Sequence, residues 1–255
     1  MPQPSPSRVA LVTGAGRGIG RAVAVRLSAE GFAVALTARN TGELEATASA
    51  CTGQTLVIGA DITAPAAVDD VFSRVEQQWG AVDVLVANAG AGVSASLAKT
   101  TDEQWQQMLD LNLTAPFRCV RRAVPAMVQR GSGRVVVIAS VAAKVGEPYI
   151  AAYTASKHGV LGLVRSAAAE LATTGVTVNA VCPGYVDTPM TDATVAGISA
   201  KTGRSEEEAR GALERKQPSH RLITPDEVAE AVWMCVVNGG VNGQGINVDT
   251  GAVQS

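Results

Sequence analysis

Arg8-Val-Ala-Leu-Val-Thr-Gly-Ala-Gly-Arg-Gly-Ile-Gly20 joins an apolar run to a glycine-rich turn, and the turn to a helical pattern. The run predicts a buried strand over 8–12, and a helix is expected to begin near Gly18. Between them, residues without side chains let backbone amides approach a pyrophosphate at a helix N-terminus. The spacing is not Gly-x-Gly-x-x-Gly: counted from Gly14 the last position holds Ile19, and counted from Gly16 it holds Arg21. What stands there is Thr13-Gly14-x-x-x-Gly18-Ile19-Gly20.

Outward from this turn the same rhythm repeats. Apolar runs at 33–38, 55–59, 82–87, 135–139, 176–180 and 245–248 read as strands, and helical stretches begin near Thr41, Ala64, Asp102, Ala151 and Pro225. Alternation of this kind predicts an α/β fold, a Rossmann-type doubly wound parallel sheet of about seven strands with helices on both faces. No linker, repeat or low-complexity tract divides the 255 residues, so 8–255 is read as one domain. Residues 1–7 are rich in Pro and Ser; they read as a disordered tail without the apolar centre of a signal peptide.

With 21 basic and 23 acidic residues the formal charge is −2, which predicts no nucleic-acid partner. No run of 18 uncharged apolar residues predicts a membrane span. Cys51, Cys119, Cys182 and Cys235 lack metal-site spacing, so no metal is expected, and reduced thiols favour a cytoplasmic chain. The two histidines, His158 and His220, have no nucleophile signature around them.

The chemistry is carried by Tyr153-Thr-Ala-Ser-Lys157, with Ser140 thirteen residues upstream. Residues four apart share a helix face, so the Lys157 ammonium can lie beneath the Tyr153 ring, where a positive charge favours the ionised phenol. Ser140 ends the apolar run 134–140 and falls at a strand's carboxyl end, where α/β sheets bind ligands. A hydroxyl, a phenol and an ammonium meeting at one carbonyl predict carbonyl reduction or its reverse.

These motifs together resemble the short-chain dehydrogenase/reductase family from Val9 to about Gly251. The likeness rests on the glycine turn, Asp61-Ile62, Asn88-Ala89-Gly90, Asn112, Ser140, Tyr153, Lys157, Pro183-Gly184 and Thr188, in that order. It implies that Ser140 orients the carbonyl, that Tyr153 exchanges the proton, and that Lys157 lowers the phenol pKa while holding the nicotinamide ribose. Asn112 would anchor a water connecting Lys157 to solvent. Cofactor contacts would come from Gly14, Arg17, Gly18, Ile19, Gly20, Arg39, Asp61, Ile62, Asn88, Ala89, Gly90, Tyr153, Lys157, Pro183, Gly184, Val186 and Thr188.

An acid that would mark NAD preference at the end of the second strand is missing from Leu36-Thr-Ala-Arg-Asn40. Arg39 and Arg17 can instead pair with a 2′-phosphate, so NADPH/NADP+ is expected over NADH. The segment 188–224 is expected to be a substrate lid, irregular at first and then helical over 206–216, where Ser205 and Glu208 have capping-box spacing. Its Arg204, Arg210, Arg215 and Lys216 either meet an anionic substrate handle or form a solvated face. The wording near Pro183 is similar to reductases of 3-oxoacyl thioesters, polyketide ketoreductases and 3-hydroxybutyrate dehydrogenases. A small-molecule ketone, free or linked to CoA or a carrier protein, is therefore the expected substrate. Oxidation of a secondary alcohol or hydroxy acid is the alternative, and a non-catalytic nucleotide sensor a remote one. The resemblance further implies a homotetramer.

Overall fold

Parallel strands covered on both faces need apolar residues at nearly every position, and the short Val-, Ala- and Ile-rich runs provide them. The computed structural model describes residues 8–254; the tail expected at 1–7 lies outside the described residues. Its strands are β1 (Val9–Thr13), β2 (Ala33–Ala38), β3 (Thr55–Gly59), β4 (Val84–Ala87), β5 (Gly133–Ile138), β6 (Val176–Pro183) and β7 (Gly245–Val248). They form one sheet in the order β3-β2-β1-β4-β5-β6-β7, every pair parallel. The chain starts mid-sheet, winds outward through β2 and β3, and returns beside β1 at β4. That reversal opens a crevice between the carboxyl ends of β1 and β4.

Side chains alternate between two cores. Leu11, Leu85 and Val137 point to a face covered by α3 (Pro65–Trp79), α5 (Ala115–Arg130) and α6 (Ala151–Glu170). Ala10, Val12 and Val136 point to the other, under α1 (Gly18–Ala29), α2 (Thr41–Ala50) and α9 (Pro225–Val237). The three-layer α/β reading is borne out.

Local departures have physical causes. The helix that begins at Ala151 stops at Glu170, and the chain turns through Gly175 at φ 80°, where a Cβ would lie 2.1 Å from the Gly131 carbonyl oxygen. The helix starting at Asp102 is not uniform: α4 (Asp102–Leu109) passes through a π turn, Asp110–Thr114, into α5. The start of 188–224, expected to be irregular, is a helix, α7 (Pro189–Thr202), followed by α8 (Glu206–Glu214). Pro189 begins α7 and Gly203 ends it in the left-handed region at φ 73°. Val195 and Ile198 of α7 pack with Ala209, Leu213, Leu222 and Tyr185, a small core separate from the sheet.

Candidate active site

The glycine turn works by omission. A Cβ on Gly14, at φ 65°, would sit 2.8 Å from Asn88 Nδ2, and one on Gly20 would sit 2.2 Å from the Gly14 oxygen. Asn88 Nδ2 donates to the carbonyls of Thr13 (2.8 Å) and Gly14 (3.1 Å). The Thr13 hydroxyl accepts from the amides of Asn88 and Ala89, both at 3.0 Å. These bonds fasten the ends of β1 and β4 together across the crevice. Arg17 precedes α1 and gives it no side-chain cap, so the first amides of that helix keep no side-chain acceptor of their own. Gly18 faces Thr188, whose Cγ2 would be 3.1 Å from a Cβ there, so the turn meets the segment leaving β6. The cradle fits a dinucleotide: its glycines admit a close backbone approach, and helix amides face the gap.

Around the adenosine end predicted from sequence, Arg17 lies 3.7 Å from Glu43, an acid the sequence reading did not single out. Asp61 accepts from the Thr63 amide and hydroxyl, bonds that hold its carboxyl below the usual range, with Arg39 adding to the effect. The Ile62 side chain is buried in the core.

At the reacting end, Ser140 follows β5, and its Oγ accepts from the Ala142 amide at 3.1 Å. Tyr153 and Lys157 lie on α6, with Lys157 Nζ 5.7 Å from the centre of the Tyr153 ring. Lys157 is 4% exposed, donates to the Ile138 carbonyl at 2.8 Å, and has its pKa pushed down to about 8 by burial. Burial also pushes the Tyr153 phenol up, against a hydrogen bond to the Ser140 side chain that draws it down. The net direction for the phenol is upward, whereas the sequence led to the expectation of a lowered value. A desolvated phenol pays for burial as an anion, and the ammonium is itself bonded to Ile138.

Asn112 sits on the π turn, 1% exposed. Its Nδ2 donates to the Ala91 carbonyl at 3.0 Å and to Ser156 Oγ at 3.2 Å, while Oδ1 accepts from the Ala91 amide at 3.1 Å. A Cβ on Gly90 would meet Asn112 Oδ1 at 2.9 Å and Lys157 Nζ at 3.6 Å. The structure thus brings Asn112, Lys157, Tyr153 and Ser140 to one sheet edge.

Beyond β6, the Gly184 amide donates to Val248. Val186 pairs with Ile223, and the Thr188 hydroxyl donates to the Val186 carbonyl at 3.3 Å. A cavity of about 270 Å³ opens beside Val141, Glu147, Tyr185, Lys216 and Val253. Tyr185 donates to Glu147 Oε2 at 2.9 Å, and Lys216 Nζ lies 3.2 Å from that oxygen and 3.1 Å from the phenol. Neither Glu147 nor Tyr185 was singled out in the sequence; the signal available was that Tyr185 directly follows Pro183-Gly184. Of the cations weighed for an anionic handle, Lys216 is tied to Glu147, and Arg210 to Asp187 and Asp192. His158 Nδ1 contacts the Thr154 carbonyl, one turn back on its own helix.

The short chain dehydrogenase family profile matches residues 8–198. A putative ketoacyl reductase of Streptomyces coelicolor is 39% identical over 253 residues, covering 95% of each chain. The 3-oxoacyl-[acyl-carrier-protein] reductase MabA of Mycobacterium tuberculosis is 41% identical over 229 residues, covering 90% of this chain and 85% of its own. Among solved structures, an actinorhodin polyketide ketoreductase variant with NADPH superposes with a TM-score of 0.91 at 38% identity, covering 96% of this chain and 97% of its own. With a glycine cradle, a Ser-Tyr-Lys edge and relatives of this likeness, the chain belongs to the short chain dehydrogenase family, oxidoreductases acting on CH–OH groups.

Proposed function

We propose that the chain is an NADPH-dependent ketoreductase that interconverts a ketone, a 3-oxoacyl thioester or related carbonyl, with its secondary alcohol. The observation that carries this reading is the convergence of Ser140 and Tyr153 beside a buried Lys157, at the sheet edge that also bears the glycine turn. The two reductase relatives and the NADPH-bound ketoreductase support the choice of reaction and cofactor. Arg17 and Arg39 supply the cations for a 2′-phosphate.

The bound nicotinamide would supply the hydride. The chain's own part is to meet the charge that grows on the carbonyl oxygen. Ser140 Oγ donates one hydrogen bond to that oxygen and Tyr153 Oη the other, and the phenol proton passes to it as the alcohol forms. Lys157 places a positive charge by the phenolate left behind and has donors to spare for ribose hydroxyls. Asn112, through the water assigned to it above, would let Lys157 recover a proton from solvent. Asp61 would contact the adenine, and Asn88, Ala89 and Gly90 would form the cleft wall. Val186 and Thr188 would meet the carboxamide. Residues 8–255 act as one domain whose segment 188–224 closes over the substrate, and we place the chain in the cytoplasm.

The test is consumption of NADPH and NADH with acetoacetyl and longer 3-oxoacyl thioesters, a cyclic ketone and an aromatic ketone. NADPH-linked turnover on the thioesters is expected; no turnover on any ketone would overturn the reading. Tyr153→Phe, lacking only the phenol oxygen, should lower kcat by about 10²–10⁴-fold with NADPH affinity preserved. Unchanged kcat would remove Tyr153 from the mechanism.

A further inference from the structure

α2 is mounted directly on the glycine turn. Its Thr47 is fully buried, and the hydroxyl lies 3.0 Å from the Ala15 carbonyl oxygen, 3.2 Å from that of Gly16 and 3.1 Å from that of Glu43. Asn40 caps the helix by accepting from the Glu43 amide at 3.3 Å. Glu43 therefore stands over the turn: a Cβ on Gly16 would be 2.8 Å from Glu43 Cβ and 3.1 Å from its Oε2. Its Oε1 lies 3.7 Å from Arg17 Nη1, and the two side chains are 36% and 65% exposed. The second arginine of this region, Arg39, acts on Asp61. Of the two cations offered to a 2′-phosphate, Arg17 thus already faces a carboxylate.

We propose that Glu43 competes with the cofactor 2′-phosphate for Arg17 and so limits the chain's preference for NADP+ over NAD+. The proposal rests on the NADPH reading above. A ribose 2′-phosphate carries about 1.5 to 2 negative charges at neutral pH. It gains Arg17 only by loosening the Glu43 contact, and Glu43, held by Asn40 and Thr47 at its backbone, stays close as a like charge. A plain 2′-hydroxyl meets no such conflict and can donate to the carboxylate. Because the pair is partly exposed, the effect is modest and screened by salt.

The test is calorimetric titration of NADP+ and NAD+ into the full chain, as wild type, Glu43→Gln, Arg17→Ala and the double variant, at about 50 and 300 mM salt. Glu43→Gln keeps the backbone cap and should tighten NADP+ by about two- to fivefold at low salt, less at high salt, with no gain for NAD+. In the Arg17→Ala background the gain should shrink to the part that comes from direct repulsion between Glu43 and the phosphate. Unchanged or weakened NADP+ binding in Glu43→Gln overturns the proposal, as does an equal gain without Arg17. A wild type that binds NAD+ more tightly than NADP+ overturns the NADPH reading instead, a separate comparison from the effect of Glu43→Gln.

Discussion

Lys157 trades hydration for a place between the Tyr153 ring and the Ile138 carbonyl, and its pKa falls from 10.5 to about 8. The consequence for stability has a definite sign. Above pH 10.5 the amine is neutral folded or unfolded. As pH falls from 10.5 to 8 the unfolded chain takes up the proton first, so stability declines across that window, and below 8 both states are charged and the contribution is flat. Tyr153 acts oppositely and higher: its raised pKa lets the unfolded chain ionise first, so its contribution is lost as pH rises past 10. In urea unfolding without cofactor, the stability of wild type relative to Lys157→Met should therefore rise between pH 8 and 10. A flat difference would mean that Lys157 is solvated. The Tyr-x-x-x-Lys spacing made this pair visible in the sequence, because helix geometry places residues four apart together. Glu43 was invisible: an acid at the third position of a helix reads as favourable to its dipole, and only the mounting of α2 on the turn shows where the carboxylate goes.

Elements were legible where their own chemistry determines them. Strands buried on both faces announce themselves as apolar runs, and five helix starts, at Gly18, Thr41, Asp102, Ala151 and Pro225, fall where the sequence put them. Three of these follow side-chain caps: Asn40, and the capping boxes of Thr101 and Thr224. Ser205 with Glu208 caps α8 in the same way, as its spacing predicted. α7 was not legible, since Thr191, Thr194, Val195, Gly197 and Ser199 are poor helix formers, and the helix stands on packing of Val195 and Ile198. Pro189 and Gly203 were the local signals that could have marked its ends. The π turn at Asn112 was hidden for a related reason, because it depends on side-chain bonds to Ala91 and Ser156 in other segments. The glycine turn makes the sharpest element-scale prediction. In Gly20→Ala the new Cβ meets the backbone oxygen of Gly14, which no rotamer change relieves. NADPH affinity should fall about a hundredfold, equivalent to about 2.7 kcal/mol, while far-ultraviolet circular dichroism keeps its helical signal. Undiminished binding would show that the cradle can open.

For the whole molecule, the family resemblance implies a homotetramer, and we propose that state for this chain. Trp105 on α4 and Phe117 on α5 are 42% and 41% exposed, large apolar groups on the helices flanking Asn112, as an assembly through that face requires. Light scattering after size exclusion should give the mass of four chains; a monomer would contradict the proposal. No helix among the described residues is long and apolar enough to cross a membrane. The order of the sheet also has a consequence for synthesis. β1 pairs on one side with β2, at Ala10 with Val34, but its other neighbour aligns Ala10 with Val84, 74 residues downstream. At about 5–20 residues per second, a ribosome leaves β1 open on one edge for roughly 4–15 s before β4 emerges to cover it. The strand that carries the cofactor cradle is thus made first and protected late, and in that interval its open edge depends on chaperones or on the speed of translation.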